Sequence, residues 1–292
     1  VNRYLEVALT AHVPLRRAAA LVAAAAALVA AGTTASHAAA PAAAPAGWTL
    51  SGSTTVDSLT GGEGIATRAD GSLLTRGLGS IPLRLRVQGW NHVGDPDIAG
   101  GYVFDDYQGG DDATSKMFEV TTPSGRTYDY THPLDPGELL NNSFAAVSPD
   151  SRWLVAGEWG EMDRLQVFPA PLTNPSTPAA GGTLAQAGQI TLDTPVDDVQ
   201  GCDFTTATSL VCAADDAAKD VFEVDLPHAL DGTPVTGHVT DLFQVPQRSV
   251  CSGTFETEGV DYDTATGVLR VEIVPPSVCE VATTVYSYRA SS

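Results

Sequence analysis

Lysine is nearly missing from this chain: Lys116 and Lys219 are the only two in 292 residues, and the formal net charge is -20. A surface so short of cations repels nucleic acid and anionic lipid headgroups and attracts positive ions. No Cys-x-x-Cys occurs, which argues against thiol redox catalysis and a thiolate zinc site. No Gly-x-Ser-x-Gly elbow, P-loop or His-Glu-x-x-His is present, so an α/β-hydrolase nucleophile, a Walker phosphate cradle and a zincin site are excluded. Long apolar runs are missing too, apart from Ala18 to Gly32 near the N-terminus.

That one run reads as export machinery. Arg16 and Arg17 precede it, and Ser36-His37-Ala38 follows as a small-residue cleavage site. The run is too short for a membrane span. Residues 1–38 are therefore expected to be a signal peptide; Val13 is an alternative start, because the residues before it are out of place ahead of such a leader. Residues 39–47, rich in Pro and Ala, form a linker, and residues 48–292 are left as one large folded domain. Losing Arg3, Arg16, Arg17 and Glu6 leaves 12 basic against 34 acidic residues in the exported part. Its four cysteines, an even number in an oxidising compartment, read as two disulfides. The stretch FTTATS suits a hairpin joining Cys202 to Cys212, which pairs Cys251 with Cys279.

A repeat organises the domain. HVGDPDIAGGYVF from His92, AAVSPDSRWLVAG from Ala145, QGCDFTTATSLVCA from Gln200 and EGVDYDTATGVLRVEI from Glu258 each pass a polar turn into a β-rich run. They align on Asp95, Ser148, Asp203 and Asp261. KMFEVT, LQVF, DVFEVD and TVYSY keep the same phase, and RTYDY, QITL and VTDLF trail the first three units. Units of about four short strands in series point to an all-β fold, a β-propeller. GIATRADGSLLTRG with LRLRV supplies a further hairpin ahead of the first unit. Five blades of about four antiparallel strands are expected, with N-terminal strands closing the ring beside the C-terminal ones; four or six blades stay open, and the steady period argues against a two-sheet sandwich. The loop from Phe168 to Gly182 is expected to be an exposed connection, and the pairs Asp105-Asp106, Asp111-Asp112, Asp197-Asp198 and Asp215-Asp216 to be solvated loop acids. Trp153 is assigned to the core and Trp159 to the surface.

The repeat gives GWNHVGDPD (Gly89 to Asp97) a place. In a propeller the first strand of each blade lines the central channel, so this segment falls at a channel mouth. Trp90, Asn91, His92 and Gln200 are candidate ligand-binding residues there. Asp95, Asp203 and Asp261 are candidate metal ligands, because converging carboxylates repel one another until a cation intervenes, and hard oxygen donors favour Ca²⁺. Asp at a strand start also caps turns without any ligand.

The stretch ADGSLLTRGLGSIPLRLRVQGWNHVGDPDIAGGYVF resembles the opening of secreted bacterial β-propeller proteins that carry a His-[Ile/Val]-Gly-Asp motif before a Tyr-Val strand. It is more distantly similar to olfactomedin-type five-bladed propellers. The resemblance implies His92, Gly94 and Asp95 at the channel mouth and Ca²⁺ in the channel; the chain departs from the pattern at Pro96 and Phe104. The reading that follows is a secreted, monomeric, noncatalytic propeller binding a small molecule, glycan or cell-surface protein at the channel mouth, with Ca²⁺ as cofactor. The alternatives are a carbohydrate-active hydrolase or lyase using Asp203, Glu258, Asp261 and His92, and a purely structural or interaction protein.

Overall fold

Short apolar runs broken by Gly, Asp and Pro turns make sheets too small to bury both faces alone, so they must stack on one another. In the computed structural model, which describes residues 47–110, 112–140 and 143–291, they form four sheets around a ring, one of them spanning two blades. The expected signal peptide, and the expected linker except Gly47, lie outside the described residues. Among the described residues no helix is long and apolar enough to cross a membrane.

The ring is a five-bladed β-propeller. Its innermost strands are Gly64–Thr67, Asp97–Ala99, Ala146–Val147, Val199–Thr206 and Glu256–Asp263. Each packs on the next, and the fifth packs on the first. The second blade continues through Tyr102–Gln108, Ser115–Thr121 and Thr127–Pro133. The third adds Trp153–Ala156, Glu161–Pro169 and Gly188–Asp197, and the fourth Ser209–Ala214, Asp220–Asp225 and Val235–Gln244. The outer strands of these two blades pair in parallel, Ile190 opposite Val235, and join them into one sheet. The fifth blade runs through Val268–Val274 and Ala282–Ala290 and takes its outer strand, Trp48–Asp57, from the other end of the domain. The expected closure by an N-terminal strand is thus present.

Large apolar side chains fill the layers between blades. Phe104, Phe118, Leu154 and Phe168 pack between the second and third. Leu165, Ile190, Phe204 and Phe222 pack between the third and fourth, and Val211, Phe243, Leu269 and Tyr288 between the fourth and fifth. Each such side chain contributes about 1.5–3 kcal/mol by leaving water, so interblade stacking carries the fold. Trp153 packs against this core and Trp159 is exposed, as assigned.

Two expectations are corrected here. The first blade has only two strands, Gly64–Thr67 and Leu73–Arg76, and LRLRV is not a strand but a helical turn, Leu83–Val87, after Pro82. Of its apolar residues only Leu85 is buried, against Ile81, Val93, Tyr107 and Met117; the alternating pattern implied one buried face and the turn needs one buried residue. The connection after Phe168 is not simply exposed: Ala170 and Asn174 are buried, and Gly182–Thr183 adds a parallel strand to the edge of the second blade.

Both disulfides pair as expected. Cys202 lies opposite Cys212 on adjacent strands, with Cα atoms 4.0 Å apart. Cys251 joins Cys279 at a Cα separation of 6.1 Å, tying the segment ahead of the fifth inner strand to the turn before Ala282–Ala290.

Candidate functional site

The Gly94-Asp95 pair of GWNHVGDPD stands on the propeller axis. The Asp95 amide donates to Ser143 O at 2.7 Å and its carbonyl accepts the Ala145 amide at 2.9 Å, linking the second blade to the third. Its Oδ1 accepts the Ile65 amide of the first blade and its Oδ2 the Val260 amide of the fifth, both at 2.9 Å. Gly201 of the fourth blade completes the contact: a Cβ there would fall 2.7 Å from Asp95 Oδ2. Gly64 and Gly259 are equally close, and Gly94 lies so near Ser143 O that a Cβ would fall 2.2 Å from it. Three glycines thus let the backbones of the first, fourth and fifth blades approach one carboxylate, and Gly94 lets the third approach the same segment; Asp95 is 1% exposed. Asp95 closes the channel and leaves a mouth on each side. The head mouth lies where the inner strands begin, the tail mouth where they end.

The tail mouth opens into a cavity of about 960 Å³ that includes Asp97, Asp203 and Asp261 in its lining. Each of these acids holds a neighbouring blade. Asp97 accepts the Val147 amide at 2.6 Å, Asp203 the Tyr262 amide at 2.6 Å, and Asp261 the Thr67 amide at 2.7 Å. The structural equivalents are therefore Asp97, Ala146, Asp203 and Asp261, and the alignment on Asp95 and Ser148 is out of register by two residues in both units. Asp-Pro-Asp offers two aspartates on one face of a strand, and sequence alone does not separate them. Ser148 instead closes its own turn, donating to Asp150 at 2.6 Å and accepting the Trp153 amide at 3.0 Å. Burial pushes the Asp203 carboxyl well above the usual carboxylate range, helped by the charges of Asp97 and Asp261. Burial also pushes Asp97 up to about 6, against its two amide donors. Asp261 is raised by burial, with Thr67 and Arg270 working the other way.

The head mouth gathers a different set. On the fifth inner strand Glu256 and Glu258 precede Val260; on the fourth Asp198 and Gln200 precede or border Gly201; on the first Glu63 precedes Ile65. His92 Nε2 lies 3.4 Å from Glu63 Oε2. Burial, reinforced by Glu256, pushes Glu63 up to about 8. Burial also raises Glu258 well above the usual carboxylate range, with Glu63, Asp215 and Glu256 adding to it, and lowers His92. Below the mouth stand Asp106 and Glu272, both 0% exposed; no oxygen of either carboxylate has a partner in full hydrogen-bond geometry, and the Gly259 amide is the donor that acts on Glu272. Burial holds both well above the carboxylate range; the charge of Asp105 adds to Asp106, and that of Glu63 to both.

Of the expected binding residues, His92 and Gln200 stand at the head mouth, with Gln200 Nε2 donating to Asp198 at 3.4 Å. Asn91 is exposed beside them, while Trp90 packs on the Leu85 cluster. The expected metal residues do not share a mouth: Asp95 plugs the axis, and Asp203 and Asp261 lie on its tail side. The residues named for catalysis divide likewise, His92 and Glu258 on the head side, Asp203 and Asp261 on the tail side. Among the described residues, the three ligand-bearing groups within 4.8 Å of one another are His132, Asp135 and Glu138. There Lys116 Nζ, 3.0 Å from Glu138, already supplies the cation.

Sequence reasoning missed Glu63, Asp106 and Glu272, and the acid pairs need correcting. Asp105 and Asp106 are not loop acids but fully buried members of the Tyr102–Gln108 strand, where Asp105 forms an ion pair with Arg76. Asp215 is part-buried, accepting the Thr257 amide at 2.6 Å and Lys219 Nζ at 2.7 Å. The available signal was an acid inside an apolar strand, YVFDDYQ and VLRVEIV, where a solvated acid has no place.

No protein-family model matches this chain, and no curated protein matches it in sequence. Solved structures similar to it include the periplasmic gluconolactonase of Pseudomonas aeruginosa, at 16% identity over 56% of this chain and 45% of that one, TM-score 0.36. The native arabinanase of Bacillus subtilis is similar at 9% identity over 84% of this chain and 92% of that one, TM-score 0.42. The chain spans less than half the length of the gluconolactonase. Values this low leave activity to be argued from the site.

Proposed function

We propose that this is a secreted, noncatalytic binding propeller that takes a positively charged ligand at the head mouth of its channel, with Ca²⁺ as the cation to test first. The observation that carries the reading is the pair Asp106 and Glu272, fully buried, with no positively charged partner on Glu272 and no oxygen of either in full hydrogen-bond geometry. Buried carboxylates ordinarily find donors or counter-ions. Here the surrounding groups are more acids, Glu63, Glu258 and Asp95, while Lys116 acts on Asp106 from one side only. A cation drawn to this end of the channel would offset their charge, and a hard cation suits oxygen donors. Two disulfides fit an oxidising compartment. The split of His92 and Glu258 from Asp203 and Asp261 weighs against one hydrolase or lyase centre built from those four.

The experiment is thermal unfolding at pH 8, in EDTA and then in millimolar Ca²⁺, for the native protein and for Glu272→Gln and Asp106→Asn. The reading expects an upward shift with Ca²⁺ that both substitutions reduce. A native protein indifferent to Ca²⁺ and to organic cations alike would sink it.

A further inference from the structure

Outside the buried acids, the head mouth widens into a second cavity of about 610 Å³ between the first and fifth blades. Its lining divides into two kinds of surface. One part is aliphatic: Leu59, Leu78, Val278 and Val281 are all exposed around it, and Val274 forms part of its wall. Four exposed large aliphatic side chains around one small cavity are not the scattered surface residues of an ordinary monomer. The other part is acidic: Glu63, Glu256 and Glu280, with Asp57 at the edge. No lysine, arginine or aromatic residue lines it.

The wall continues downward into a buried acid. Glu272 and Val274 alternate with Ile273 along Val268–Val274, so they share a face, and Glu256 lies opposite Val274 on the neighbouring strand. That face bears the fully buried Glu272, neither oxygen of which has a partner in full hydrogen-bond geometry; burial raises its carboxyl, the Gly259 amide works the other way, and the charge of Glu63 adds to the rise. The acids of the cavity and the buried acid beneath it thus form one negative column under an aliphatic rim.

We infer that this cavity binds a small aliphatic primary amine, its ammonium among Glu63, Glu256 and Glu280 and its alkyl chain on Leu59, Leu78, Val278 and Val281. The chemistry follows from what is there and what is not. An ammonium group offers three donors and no acceptor, which matches walls whose charged groups are all acceptors. The missing aromatics deny a quaternary ammonium its cation-π cage and a sugar its stacking platform. The missing cations rule out a carboxylate or phosphate ligand. The volume is that of a small-molecule site. The inference rests on the proposed function in one respect, that this end of the channel takes positive charge.

The test is calorimetric titration of the purified protein at pH 8.5 and low salt with hexylamine, methylamine and hexan-1-ol. Hexylamine is expected to bind at least about tenfold more tightly than methylamine, through roughly 0.8 kcal/mol per buried methylene. Hexan-1-ol is expected not to saturate. Glu63→Gln should weaken hexylamine by about tenfold or more, as loss of a close charge partner does. Leu59→Ser and Val278→Ser alter exposed side chains, leave the core intact, and should weaken hexylamine while leaving the Ca²⁺ response unchanged. Equal binding of methylamine and hexylamine would overturn the inference, as would hexylamine binding that survives Glu63→Gln. A short lysine-containing peptide that displaces hexylamine at lower concentration would also overturn it, by assigning the cavity to a protein partner. If Ca²⁺ raises the unfolding temperature and hexylamine does not bind, this inference falls and the proposed function stands; if neither has any effect, both fall.

Discussion

The Asp95 carboxylate accepts the backbone amide of Val260, 165 positions later in the chain, at 2.9 Å. Its other oxygen accepts Ile65, so one side chain joins the first, second and fifth blades at the axis.

Asp95→Ala strands both donors, and each unsatisfied buried donor costs about 1–3 kcal/mol. A loss of about 3 kcal/mol or more is expected, read as a lower urea midpoint at unchanged slope. Asp95→Asn keeps one acceptor but turns an NH₂ toward the other donor, and should fall between native and Asp95→Ala. An unchanged midpoint in Asp95→Ala would remove Asp95 from its place as hub.

Stability should rise as pH falls from 8.5 to about 5. Glu63, Asp97, Asp203, Glu258 and Glu272 all titrate above their ordinary values when folded, so the folded chain holds more protons than the unfolded one. Their contribution is full below the ordinary carboxylate pKa, about 4, and is lost as pH rises through about 6 for Asp97 and about 8 for Glu63. Glu138 has the opposite sign. Burial would raise it, but His132 and Lys116 hold it at about 2, so its contribution is lost only under strong acid. Unfolding temperatures measured across this range should therefore peak on the acid side of neutrality. A flat or rising profile from pH 5 to 8.5 would contradict the burial of these acids.

Lys116 lies wholly inside the protein, donating to Gly157 O at 3.0 Å and to Gln166 and pairing with Glu138. It crosses from the second blade to the third. Lys116→Met leaves Glu138 buried with His132 and the Asp135 amide but without its lysine, and should cost about 3–5 kcal/mol, the usual result of breaking a buried pair. The double variant Lys116→Met, Glu138→Gln should cost less than the two single losses summed. Strict additivity in denaturant unfolding would show that the pair is not coupled.

The two disulfides close loops of different length, with sequence separations of 10 and 28. Chain-entropy reasoning gives about 2.7 and 3.6 kcal/mol respectively. Paired Cys→Ser variants should both unfold earlier, Cys251→Ser with Cys279→Ser more so. The reverse order in calorimetry would mean that the packing around buried Cys202 and Cys212 outweighs loop closure.

How much of this was readable from residues alone depends on range. Strand order within a blade is a local property, so KMFEVT, DVFEVD and TVYSY announce their positions by apolar content and turn spacing. LRLRV shows the limit of that signal, since alternation over five residues also suits a single helical turn with Leu85 alone inside. The role of Asp95 against Asp97 is settled only by which amides reach each carboxylate from other blades. Asp106 and Glu272 carry a local mark, an acid inside an apolar run, but Glu63 does not: in a chain of 35 acidic residues, nothing local marks an acid in a Gly-rich turn whose burial is imposed by a segment far along the chain.

The outer strand of the fifth blade, Trp48–Asp57, pairs along its length with Ala282–Ala290. The earliest part of the domain to be made is thus held by the latest. A chain emerging N-terminus first must keep a ten-residue strand unpaired until Ala282–Ala290 has been made, and its fifth blade stays open meanwhile. The same geometry sets residues 48 and 290 side by side. A short peptide joining them, with new ends cut in the exposed turn at Ser124-Gly125, would turn a closure dependent on timing into one fixed by covalent connection.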